Sequence, residues 1–230
     1  MMTKMIDNEH LEQAKKFCEI YNIPEWYELN RKGKFFATCK MMPTDHERAI
    51  ADRIVREGLF EWYAVFMDCY FAVGKNNVGQ ADIIAANRNG VFVFESKDYA
   101  GWIFGNGAIN KWTYIKYRNK YYFYNPIKQN DSHVNALRRV LGMDLKYYSI
   151  VVFGNEATIK KVENVPNDVC LIEDKKLINI LRDIIDVEVD CLTDDEVLEV
   201  CRKINSARLP RSDKMVVEHI KKTHSYYSWK

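Results

Sequence analysis

This sequence has almost no charge of one sign to spare. Its 34 basic and 32 acidic residues leave +2 at pH 7, so it lacks the overall cationic character of a chain that coats nucleic acid; any such surface must be local. Paired cysteines are missing too. Cys18, Cys39, Cys69, Cys170, Cys191 and Cys201 are scattered, with no CxxC and no Cys/His group at zinc-ligand spacing, which reads as reduced, mostly buried thiols. The five histidines never fall at ligand spacing either, so zinc is not expected. No stretch approaches the roughly 18 uninterrupted apolar residues of a membrane span. The opening MMTKMIDNEHLEQ has no apolar leader segment. The cytoplasm is therefore the expected compartment, and no membrane partner is expected. Internal repeats and low-complexity runs are absent, which sets aside solenoids and disordered tails.

What the chain does have is the material of a folded domain: 47% apolar and 29% charged residues over 230 positions. That length suits one domain of about 100 to 200 residues with extensions. Residues 9–22 carry Leu11, Ala14, Phe17, Cys18 and Tyr21 at helical spacing until Pro24. A second helix opens at Thr44, with Ile50, Ala51, Ile54 and Val55 on one face, and stops at Gly58. Strand-like runs follow at 62–71, 81–87, 91–97, 112–117 and 121–124. Asn125-Pro126 reads as an N-cap and first helical position, opening a helix that ends at Gly142. Buried-strand patterns lie at 148–153 and 169–172. Helices are expected at 175–185, at 193–207 with Thr193 and Glu196 spaced as a capping box, and at 213–222. The class is α/β, with a mixed central sheet flanked by helices.

The chemistry concentrates around one hairpin. With Asn89-Gly90 as the central pair of a type I′ turn, Arg88 faces Val91, Ala86 faces Val93, Ile84 faces Glu95 and Asp82 faces Lys97. Side chains alternate along a strand, so Asp82, Glu95 and Lys97 share one face with Ile84, Ala86, Val91 and Val93. Two carboxylates and an ammonium on an apolar face are costly unless paired. Cross-strand neighbours lie roughly 5 to 8 Å apart, so Asp82 and Glu95 can converge on one ion; hard oxygen ligands suit Mg²⁺ or Mn²⁺. Lys97 could orient an attacking water or stabilise developing negative charge. The same three residues also read as an internal ion pair serving only structure.

Glu47 is a fourth candidate because it points with the apolar face of its helix. Thr44-Asp45-His46-Glu47 equally matches a capping box in which Glu47 only returns to the backbone. Gln129 and His133, one turn apart on the Asn125-Pro126 helix with Lys128 beside them, could touch water or phosphate near the site, or be polar surface. Between Trp112 and Tyr124, Lys111, Lys116, Arg118 and Lys120 interleave with tyrosines. That pattern suits base stacking with phosphate contacts, and half-buried strands with solvated charges explain it as well.

The stretch ADIIAANRNGVFVFESKDYAGWIFG, the later Trp112, and YNPIKQNDSHVNALRRVLG closely resemble the nuclease-related domain (NERD) family of the PD-(D/E)XK nuclease superfamily, over about residues 44–161. The resemblance implies a restriction-endonuclease-like core at 43–164; the flanks at 1–42 and 165–230 lie outside it and, from their residue patterns, are expected to be helical extensions. It implies metal-dependent hydrolysis of DNA, or RNA, phosphodiesters. It aligns Asp82 with the motif aspartate, Glu95-Ser96-Lys97 with the E-x-K triplet, Glu47 with the acid of the first helix and Gln129 with the Asn-Pro-x-x-Gln glutamine. Asp82, Glu95 and Glu47 are then the expected metal ligands, with Mg²⁺ or Mn²⁺ as cofactor. Lys116, Arg118, Lys128 and His133 are the expected nucleic-acid contacts. Tyr99, Gly101, Trp102 and Gly105 match the stretch that shapes the site. Two positions depart from the family pattern: Ile83 stands where His is frequent, and His46 where Gly is usual. The alternative is a non-catalytic nucleic-acid-binding, regulatory or protein-interaction module that retains the fold. The terminal helices are the expected surface for a protein partner or homodimer.

Overall fold

The computed structural model describes residues 44–72 and 78–209. The helices expected at 9–22 and 213–222, and the expected 1–42 extension, lie outside the described residues.

Helix α1 (Asp45–Arg56) has Asp45 and Glu47 in its first turn and Arg53 and Arg56 in its last, complementing the helix dipole at both ends. Its buried face, His46, Ile50, Ala51 and Ile54, recurs every three to four residues. A single 3₁₀ turn (Trp62–Ala64) leads into strand β1 (Val65–Ala72), followed by β2 (Val78–Asn87) and β3 (Gly90–Lys97). Next come β4 (Gly101–Asn106), β5 (Lys111–Lys116) and β6 (Asn119–Tyr124). Helix α2 (Pro126–Leu141) follows, then β7 (Tyr147–Phe153), β8 (Ala157–Glu163) and β9 (Val169–Glu173). A 3₁₀ turn (Asp174–Lys176), α3 (Leu177–Val187) and α4 (Asp194–Ala207) complete the described chain.

The strands form two mixed sheets where one was expected. The larger has the order β1-β2-β3-β7-β9: antiparallel from β1 to β3, then parallel through β7 and β9. The smaller has the order β6-β5-β4-β8, with only β4 and β8 parallel. Strands β4 and β8 escaped sequence reading for local reasons. In β4 only Ile103 is fully buried, and Trp102 is half exposed, so no clean alternation is visible. In β8 the register shifts opposite Ile103 and Phe104, which breaks the period-two pattern. Gly105 is required at its position because a Cβ there would lie 2.2 Å from the Trp112 ring. That ring is fully buried and packs with Ile103, Phe123, Ile127, Val151 and Phe153 in the core beside the second sheet.

The β2–β3 turn is one residue earlier than the Asn89-Gly90 expectation. Arg88 and Asn89 are its central pair, with Asn87 opposite Gly90, Ala86 opposite Val91, Ile84 opposite Val93 and Ile83 opposite Phe94. Side-chain bonding sets this position. Asn87 Oδ1 accepts the Asn89 N–H at 2.9 Å, and Asn89 Nδ2 donates to the Glu188 carbonyl at 3.0 Å, while Gly90 takes the positive φ of 135°. The pairing thereby slides by two residues, so every side chain keeps its expected face.

Helix α2 begins as anticipated, with Asn125 Oδ1 accepting the Ile127 N–H at 2.9 Å, and ends with Gly142 at φ 56°. The capping box at Thr193 and Glu196 is present. The segment expected as a helical extension from 165 contributes, over its described part, the edge strand β9 of the large sheet. Its helices bury Leu177, Leu181, Val200, Cys201 and Ile204 completely. Among the described residues no helix is long and apolar enough to cross a membrane.

Candidate active site

The backbone ladder between β2 and β3 ends at Ile83–Phe94, and one step further the register sets Asp82 across from Glu95. The next free donor on β3, the Ser96 N–H, is taken at 2.9 Å by Asp82 Oδ2 in place of a β2 carbonyl. A carboxylate thus finishes the ladder where the two strands part. On the other flank β7 covers β3, with Glu95 opposite Val151 and Lys97 opposite Phe153. The outcome is three ionisable side chains inside the protein: Glu95 is 0% exposed, Lys97 7% and Asp82 8%.

They are held from several directions. Lys97 Nζ forms an ion pair with Glu95 Oε1 and donates to Gln129 Oε1 at 3.1 Å. Glu95 Oε2 lies 3.3 Å from His133 Nδ1 without hydrogen-bond alignment, so this buried oxygen has no hydrogen-bond partner among the described residues. Gln129 and His133 reach inward because both belong to the face of α2 that also buries Ile127, Asn130 and Leu137. From α1, Glu47 acts electrostatically on Glu95, while His46 bonds through Nδ1 to Ser96 Oγ at 2.7 Å. His46 Nε2 faces Asp174 Oδ1 at 3.8 Å, and Asp174 also pairs with Arg53 of α1.

The electrostatics follow from burial. Desolvation and then the neighbouring Glu95 push the Asp82 carboxyl up to about 7, against the smaller pull of Lys97 and the Ser96 N–H. Burial also raises Glu95; the Lys97 ammonium opposes that rise and Glu47 adds to it. His46 is held below the ordinary histidine range by burial, partly offset by Asp174 and Asp98, and is neutral near pH 7. Two buried carboxyl groups, Glu95 also facing Glu47, therefore share one ammonium at the end of β3, and burial disfavours their full ionisation.

That donor set fits a hard divalent cation. Asp82 and Glu95 disfavour each other's charge, and among the described residues Glu95 Oε2 has an unused acceptor site. Among the described residues no three His, Cys, Asp or Glu side chains already converge on one ion position. Water and substrate oxygens would have to complete such a shell, the coordination that Mg²⁺ ordinarily keeps.

The structure thus gathers Asp82, Glu95, Lys97, Gln129 and His133, with Glu47 in electrostatic range. His133, expected as a phosphate contact, is instead buried beside Glu95. Lys128 is spent on a loop: its ammonium donates to the Ala108 carbonyl and to Asn110 Oδ1, both at 2.7 Å. Lys116 and Arg118 lie away from this cluster at the β5–β6 turn, lining a cavity with Trp102. Sequence reading missed Asp68. It lies in β1 level with Asp82 of β2, between the Met67–Ile83 and Cys69–Ala81 pairs, is buried, takes the left-handed φ of 49° and accepts from Gln80 Nε2 at 2.9 Å. The signal available was a lone acid within the apolar run VFMDCYFA.

A family model described as nuclease-related domain matches residues 43–154. An uncharacterized protein of Bacillus anthracis is 30% identical over 149 residues, covering 65% of this chain and 68% of that protein. No solved structure matches the chain.

Proposed function

Because the chain belongs to the nuclease-related domain family, with an α/β architecture consistent with a restriction-endonuclease-like fold, we propose that it is a divalent-metal-dependent nuclease hydrolysing phosphodiester bonds of DNA or RNA. DNA is the first substrate to test. The observation that carries this reading is the buried Asp82–Glu95 pair beside Lys97, a charge arrangement that costs stability and suits a cation.

In this reading Asp82 and Glu95 hold Mg²⁺ or Mn²⁺, and Glu47 supports the ion or positions water. The ion, when bound, supplies Lewis acidity toward a phosphoryl oxygen and lowers the pKa of water. Ser96 aims the Asp82 carboxylate through its N–H, and His46 steadies Ser96 from behind. Lys97 stabilises charge developing on the phosphoryl group; Gln129 and Glu95 fix its ammonium in advance, so little reorganisation is needed.

A second reading, a binding or regulatory module without turnover, is favoured by one observation: Glu95 is fully buried and already paired with Lys97, as in a structural ion pair. Incubating labelled single- and double-stranded DNA and RNA with Mg²⁺, Mn²⁺ or EDTA separates the two. Metal-dependent cleavage that disappears in folded Lys97→Ala and Asp82→Asn variants supports the nuclease. Intact substrate under every condition, or cleavage indifferent to both substitutions, sinks it.

A further inference from the structure

The outer face of the four-stranded sheet takes no part in the site above, and its composition is unusual. Rows run straight across the strands: Trp102 pairs with Ile115 and Ile115 with Lys120, while Phe104 pairs with Thr113 and Thr113 with Tyr122. Trp102 is 53% exposed and Tyr122 43%. Lysines lie over these rings, Lys111 at 3.8 Å and Lys120 at 5.3 Å from the Tyr122 centroid, and Lys160 at 5.1 Å from that of Trp102. At the β5–β6 end the face deepens into a cavity of about 320 Å³, lined by Trp102, Ile115, Lys116, Tyr117, Arg118 and Glu156 among others. Its rim is a two-residue turn in which Tyr117 and Arg118 both adopt positive φ, 49° and 67°, positions that favour Asn and Gly. Bulky residues kept in that backbone region, with Tyr117 85% exposed, point to a use for their side chains.

We infer that this face is a platform for an unpaired nucleic-acid strand, with one base seated in the cavity against Trp102 and the lysines following the phosphates. Exposed aromatic rings set among cations are the means by which proteins grip single strands, whose base faces are free; a duplex hides those faces in its own stack. An incoming base takes the place of a lysine over a ring, and the displaced ammonium, on a flexible stem, moves to the adjoining phosphate. Of the acids at this face, Glu163 is paired with Lys161 at 2.9 Å. Glu156 lines the cavity, where a carboxylate can accept from a base's exocyclic amine. Gly101, one of the residues lining the cavity, follows Lys97 by four residues, a span of at most about 14 Å. As a substrate surface the platform rests on the nuclease reading; as a binding surface it stands apart from it.

The test is equilibrium binding of the full-length protein in EDTA to fluorescein-labelled oligodeoxycytidine, its duplex and an abasic strand of equal length. Binding is read by anisotropy and by quenching of tryptophan fluorescence, and cleavage is assayed separately with Mg²⁺. The single strand should bind more tightly than the duplex and the abasic strand. Trp102→Ala should weaken it roughly 5- to 100-fold and remove most of the quenching. Lys120→Glu with Lys160→Glu, both on exposed side chains, should weaken it and flatten its salt dependence. If Trp102→Ala does not fold, Tyr122→Ala and the lysine pair carry the same test. Equal affinity for the abasic strand, preference for the duplex, or indifference to all of these substitutions overturns the platform, whatever the cleavage assay shows. Trp102-dependent binding without cleavage keeps the platform and removes the nuclease.

Discussion

The two sheets treat their cations in opposite ways. In the five-stranded sheet Lys97 is enclosed, and its ammonium is gripped by the Glu95 carboxylate and the Gln129 amide. In the four-stranded sheet Lys111, Lys120 and Lys160 lie over the faces of Tyr122 and Trp102 at the surface. An ammonium inside a protein needs a formal counter-charge, because an unpaired buried charge costs several kcal/mol. One at the surface keeps its water and needs only an aromatic face, worth about 0.5–1 kcal/mol. The first arrangement fixes a charge within a narrow geometry, as chemistry requires. The second leaves it mobile, as a grip on a flexible polyanion requires.

Removing the counter-charge is the sharpest way to break this contrast. Glu95→Ala should cost about 3–5 kcal/mol in denaturant unfolding, since the buried Lys97 ammonium loses its ion-pair partner. A loss below about 1 kcal/mol would mean that the pair is far better hydrated than its burial implies. Lys97→Ala should lower metal-dependent cleavage by about 10²- to 10³-fold, measured in single turnover, while leaving oligonucleotide binding in EDTA unchanged.

Acidity sharpens the comparison further. The folded-state pKa of Asp82 is raised from 3.8 to about 7, so between about pH 4 and 7 the native protein holds a proton that the unfolded chain has released. Stability from this group is therefore greatest at low pH, falls as pH rises through that window and levels off above it. Asp82→Asn should gain Tm relative to wild type in EDTA across the same window, and Mg²⁺ should restore the wild type alone. A Tm difference independent of pH would show that Asp82 titrates normally. Gly105→Ala forces a methyl into Trp112 and should cost about 1–3 kcal/mol by thermal or urea unfolding. Lys120→Ala, on the exposed sheet, should change stability by less than about 0.5 kcal/mol in the same assay.

How much of this was legible in the sequence depended on the range of the forces involved. Asn125-Pro126 and Thr193 with Glu196 announced their helices because caps are local. The shared face of Asp82, Glu95 and Lys97 survived a misplaced turn because a two-residue slide preserves parity. The turn itself was misjudged because Asn89 is bonded to Glu188, about a hundred residues away. Distance also hid β4 and β8, which exist as strands through each other and through β5, and Asp68, whose meaning comes only from lying across from Asp82. His133 read as a phosphate contact near the site, and only the packing of α2 places it beside the Glu95 carboxylate instead.

Asp174 carries a consequence for anyone shortening this chain. It lies beyond residue 154, where the match to the family model ends, yet its carboxylate answers both Arg53 and His46 on the helix that bears Glu47. A fragment trimmed to the matched segment would forfeit that anchor along with the outermost strand of the large sheet. The stretch that the family model marks out is thus smaller than the stretch that packs together, and inactivity of so trimmed a protein would reveal a slackened helix rather than an absent chemistry.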